Sequence, residues 1–90
     1  MVNPVKYLLN TANEKKLVTI EPVFEEIAGG DLFPTGRYIV VSNDAILGEI
    51  HLDGDLFDWA GDNDPGIDNI FNIAQFIREY QEPQLTEFVD

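Results

Sequence analysis

Apolar residues recur along this chain with two periods, and each period predicts a different element. Over residues 4–15, Val5, Leu8, Leu9 and Ala12 stand at i, i+3, i+4 and i+7, one stripe of an amphipathic helix. Lys15 and Lys16 follow where a helix dipole favours positive charge. Leu17-Val18-Thr19-Ile20 reads as a short strand. Residues 22–28 fit a short helix stopped by Gly29-Gly30 and fit a strand as well, because so short a segment does not separate the two periods.

The strongest β signal is Tyr38-Ile39-Val40-Val41, β-branched and aromatic. Asn43-Asp44 suits a two-residue turn, with residues 45–52 as the returning strand. With that turn Val41 pairs with Ile46, and Ile39 lies opposite Gly48. Ile39, Val41, Ile46, Ile50 and Leu52 are then expected on the core side, and Tyr38, Val40 and Leu47 on the other. Residues 55–60 are expected to form one helical turn capped by Asp55 and ended by Gly61. Ile67, Ile70, Phe71, Ala74 and Ile77, widened by Ile73 and Phe76, predict a long helix over residues 65–80, which Pro83 ends. The tail, residues 84–89, reads as an edge strand or a frayed end.

One device recurs at three of these boundaries. Asn3-Pro4, Glu21-Pro22 and Asp64-Pro65 each place proline where a first helical turn tolerates it, behind a residue that can cap, Glu21 least well. The expected fold is therefore one α+β domain. Its small antiparallel sheet, with a central hairpin at residues 37–52, packs against an N-terminal helix and a long C-terminal helix.

Composition supports folding and restricts the chemistry. Hydrophobic residues make up 44% of the chain, too many for a disordered acidic tail. There is no cysteine, so disulfides and thiolate chemistry are excluded. The first ten residues lack the apolar core of a signal peptide, and no apolar run reaches membrane-spanning length. A cytoplasmic location is expected.

Charge changes the picture most. The chain holds 17 Asp and Glu against 5 Lys and Arg, a formal net charge of −12. No Lys or Arg occurs between Arg37 and Arg78, a stretch that contains Asp44, Glu49, Asp53, Asp55, Asp58, Asp62, Asp64 and Asp68. Such a field repels nucleic acid and anionic membranes and attracts basic protein surfaces.

These carboxylates admit two chemical readings. As calcium ligands they fail on spacing. Counting from Asp62 or from Asp53 as position 1, neither the glycine at position 6 nor the glutamate at position 12 of an EF-hand loop is present. No metal or other cofactor is therefore expected. As stand-ins for phosphates they could meet the Lys and Arg that a DNA-binding partner lines up for duplex DNA. In size and charge the chain is similar to small acidic inhibitors of nucleases, restriction systems and CRISPR effectors, although no motif ties it to a named family.

Other residues offer less. Trp59, the only tryptophan, sits with Phe57 among acids and reads either as core or as an interface anchor. His51, the only histidine, lies two residues from Glu49 and shares its strand face, but a lone His–carboxylate pair on a strand is usually structural. Gly29-Gly30 lacks the Lys-Ser/Thr of a phosphate loop. No enzyme activity is expected.

The sequence thus predicts an acidic binding module or inhibitor. Its face of Asp44, Glu49, Asp53, Asp55, Asp58, Trp59, Asp62, Asp64 and Asp68 would engage the basic surface of a partner, such as a nucleic-acid-binding protein, without touching nucleic acid itself. The alternative is a structural or assembly subunit that associates through apolar helix and sheet-edge contacts, homodimerisation included.

Overall fold

Among the described residues, five strands form one sheet, each hydrogen-bonded to the next in chain order. In the computed structural model, which describes residues 1–10, 15–43, 45–61 and 65–81, these are β1 (Val5–Asn10), β2 (Lys15–Glu26), β3 (Leu32–Ser42), β4 (Ala45–Asp53) and β5 (Leu56–Ala60). They run antiparallel in the order β1-β2-β3-β4-β5. One helix, α1 (Ile67–Glu79), follows and packs across one face.

This architecture corrects the expected fold at both ends. The described residues of the expected N-terminal helix from Val5 onward are strand instead. Val5, Tyr7 and Leu9 alternate with Lys6, Leu8 and Asn10, and the strand pairs from Val5–Ile20 to Asn10–Lys15 with β2. The spacing that suggested a helix also contains a period of two. A helix of about twelve residues is marginal alone, whereas pairing with β2 satisfies every second backbone group and buries Leu9. Nor is the C-terminal helix long: it has 13 residues. It begins after Gly66, with no side-chain cap, and ends at Tyr80.

The prolines do not open helices. Asn3-Pro4 precedes β1, and Pro22 lies inside β2, so residues 22–28 are strand and turn. Pro22 sits at a register irregularity. Between the pairs Pro22–Tyr38 and Phe24–Pro34, β3 carries two more residues than β2, and such breaks in the ladder tolerate a missing N–H. The Asp64 cap and the tail at residues 84–89 lie outside the described residues.

The expected helical turn at residues 55–60 is β5. Leu56, Asp58 and Ala60 point one way and half-buried Phe57 and Trp59 the other. Gly54, at φ 62, takes the first place of the two-residue β4–β5 turn, where a type II′ hairpin carries glycine.

In the central hairpin Val41 pairs with Ile46, but Gly48 pairs with Val40 and Ile39 with Glu49. One extra residue in β4 between these pairs reverses the side-chain phase. Tyr38, Val40, Leu47 and Ile50 therefore face α1, while Ile39, Val41 and Ile46 face away. Gly48 is required by a close approach. A Cβ there would overlap the Trp59 ring, lying 2.7 Å from Cε2, so the indole lies across the bare backbone.

The core lies between α1 and this face: Leu9, Val18, Ile20, Val40, Ile50, Ile70, Ile73, Ala74 and Ile77 are all buried. Tyr7 stacks on Phe76 at 4.8 Å between ring centroids, joining the edge strand β1 to the helix. At the other end, Arg78 Nη2 donates to the carbonyls of Gly54 at 3.0 Å and Leu56 at 2.9 Å, clipping the helix C-terminus to the β4–β5 turn.

Candidate protein-binding face

A five-stranded sheet has two faces, and α1 covers one of them. The opposite face carries the alternate residues of every strand: Leu8 of β1, Leu17 and Glu21 of β2, Arg37 and Val41 of β3, Glu49 and His51 of β4, and Asp58 of β5. No described element lies over it. Leu8 and Leu17 are direct cross-strand partners and are 49% and 56% exposed; Ile46 is 66% exposed. Exposed neighbouring aliphatics at such a site are apolar surface that folding has not used.

Three shallow depressions mark this face. One is lined by Lys6, Leu17, Thr19, Glu21, Val41 and Asn43. A second is lined by Arg37, Glu49, His51, Asp58 and Ala60. A third runs onto the β2–β3 hairpin, past Val23, Phe24, Glu25, Phe33 and Thr35, and shares Arg37 and His51 with the second. The open face thus carries Glu49 and Asp58 beside Arg37 and His51 toward β4 and β5, and Leu8 and Leu17 among Lys6, Lys15, Thr19 and Glu21 on β1 and β2.

The fold divides the expected acidic face. Glu49 and Asp58 stand on the open face. Asp53 ends β4 and Asp55 lies in the turn after it. Asp68 is in the first turn of α1, in the other layer. Asp44, Asp62 and Asp64 lie outside the described residues. Trp59 points toward α1 and packs against the core, which leaves its ring on the opposite side from Asp58.

The gap in positive charge along the sequence is also narrowed in space. Antiparallel pairing puts Arg37 opposite His51 and places its Nε 3.4 Å from Glu49 Oε2. Both side chains are well exposed, so solvent screens the pair and its contribution is small. Arg78 returns to the β4–β5 turn. Glu49 and His51 share a face, as strand alternation requires. Among the described residues, however, the ion pair given to Glu49 is with Arg37, and no three His, Asp or Glu side chains are grouped to hold a metal. No described helix is long and apolar enough to cross a membrane.

The sequence reading missed Leu8, Leu17, Arg37 and Phe33 as surface groups of one face. The signal was available as alternation in β1 and as continued β-character through Pro22 and Pro34. Compared with protein-family models, curated proteins and solved structures, the chain matches none.

Proposed function

We propose that this protein is an acidic binding module that engages the basic surface of a partner protein through the uncovered face of its sheet. The single observation that supports this reading is that no described residue covers that face across the five strands, with Glu21, Glu49 and Asp58 set beside Leu17, Val41 and Ile46. Carboxylates around exposed aliphatics suit a partner that offers Lys or Arg around apolar groups. The net charge of −12 speeds encounter with such a surface and makes binding fall with added salt.

The phosphate-imitating form of this reading asks for a double row of carboxylates. The described acids of residues 44–68 are spread over the open face, one turn and the helix layer, so the plainer form is preferred. A partner that duplex DNA does not displace is expected.

A second reading rests on Leu8 and Leu17 alone. Their exposed pair beside the edge strand β1 suits an assembly subunit whose association is apolar and resists salt.

The test is affinity capture at low and high salt with the native protein and with the Glu49→Lys/Asp58→Lys variant. A partner held at low salt, released at high salt and lost with the variant is the expected result. A partner retained by the variant and at high salt would discard the electrostatic reading and favour the apolar one.

A further inference from the structure

The β2–β3 hairpin outruns its neighbours. β1 pairs with β2 only as far as Ile20, and β4 pairs with β3 only from Arg37 onward. Beyond those limits the chain continues as a two-stranded arm, residues 23–35, through the pairs Phe24–Pro34, Glu25–Phe33 and Glu26–Leu32. At its base Thr35 Oγ1 donates to the Val23 carbonyl at 2.7 Å and accepts from the Arg37 amide at 3.2 Å, which fixes the arm to the sheet. A two-stranded ribbon has little core of its own. Here Ile27 is 46% exposed, Leu32 65% and Phe33 53%.

Charge selects what could cover these side chains. The arm carries Glu25, Glu26 and Asp31 and neither Lys nor Arg. Antiparallel order brings the β4–β5 turn, with Asp53 and Asp55, to the same end of the sheet, where Arg78 and Arg37 offset part of the charge, while Lys15 and Lys16 begin β2 at the opposite end. The arm of a second copy would repeat the same negative charges, and an anionic bilayer would repel them. An apolar groove rimmed by Lys and Arg matches both properties of the arm.

We infer that the arm is the anchor of the interaction, inserted between the walls of an apolar groove on a partner protein whose rim is basic, with Phe33 and Leu32, neighbours on opposite faces of the ribbon, meeting opposite walls and Ile27 exposed beside them. This rests on the proposed reading that the chain binds a basic protein surface, and it names the element that enters. The adjoining depression lined by Phe33, Arg37 and His51 makes the arm continuous with the open face.

Two synthetic peptides of equal length test it, one alternating Leu and Lys and the other all Lys, each titrated into isotopically labelled full chain while amide shifts are followed. The Leu/Lys peptide is expected to shift residues 23–35 most and to bind about tenfold tighter than oligolysine, as burial of one large apolar side chain would give. The Leu32→Ser/Phe33→Ser variant is expected to lose that difference and keep the weaker oligolysine binding. Equal affinity for the two peptides, or shifts centred on Leu8, Leu17 and Ile46, would overturn the arm's role and leave the basic-partner reading standing. Failure of both peptides to bind would remove that reading too. Arm shifts that depend on protein concentration alone would make a second copy the occupant, overturning the inference. The shift map of the unsubstituted protein decides the matter even if the variant does not fold.

Discussion

The two faces of the sheet are built from neighbouring residues of the same strands and have opposite fates. In β2, Val18 and Ile20 are almost fully buried, while Leu17 between Lys16 and Val18 is 56% exposed. In β3, Val40 is buried and Val41 beside it lies in a surface depression. Hydrophobicity therefore does not set burial here. The position of α1 does, because a single helix of 13 residues can cover only one side. An aliphatic under the helix contributes to folding, and the same aliphatic on the far side remains free to contribute to binding.

The largest expected contrast comes from shortening one residue on each face. Ile73→Ala, at a fully buried position of α1, is expected to lower stability by about 2–5 kcal/mol. Leu17→Ala is expected to change it by no more than about 0.5 kcal/mol. Urea titration of both variants measures the difference, and equal losses would mean that something also covers the open face.

Gly48→Ala probes the contact between a strand and an indole. Its new Cβ would meet Trp59 and lie 2.8 Å from the Ala60 carbonyl, so the ring must move. A loss of about 1–3 kcal/mol is expected, with Trp59 emission shifted to the red. A stable variant with unchanged emission would show that the indole does not depend on the bare backbone.

The smallest effect is expected at the helix end. Arg78→Ala removes two charge-assisted hydrogen bonds to the β4–β5 turn and should cost about 1 kcal/mol. Amide exchange should quicken at Gly54 and Leu56 and stay unchanged in β1. Equal quickening in β1 would mean that the clip holds the whole helix.

Local strand chemistry was legible in the sequence; phase and partners were legible only in part. Tyr38-Ile39-Val40-Val41, the turn after Ser42 and part of the helix stripe were readable because each depends on nearby residues; Ile70, Ile73, Ala74 and Ile77 are buried, whereas Ile67 and Phe71 of the same expected stripe are exposed. β1 was not, because Val5, Leu8 and Leu9 satisfy a helical spacing and only pairing with β2 decides against it. The single extra residue in β4 has no distinctive composition, yet it puts Ile39 and Ile46 on the open face rather than under the helix. Prolines misled because Pro22 lies where the ladder is interrupted.

The candidate site was less legible than the fold. Charge counted along the chain showed eight acids and no Lys or Arg from Asp44 to Asp68, but adjacency in a sheet is lateral. Strand pairing set Arg37 beside Glu49, and alternation sent Trp59 and Asp58 to opposite sides.

The strict succession of strands has a consequence for synthesis. Each strand finds its partner in the segment made just before it, so pairing can proceed while the ribosome is still translating. The covering helix is the last described element to be made. Until the helix is available, Ile20, Val40 and Ile50 lack the layer that covers them, and any sheet already formed presents a greasy side to chaperones and to other chains.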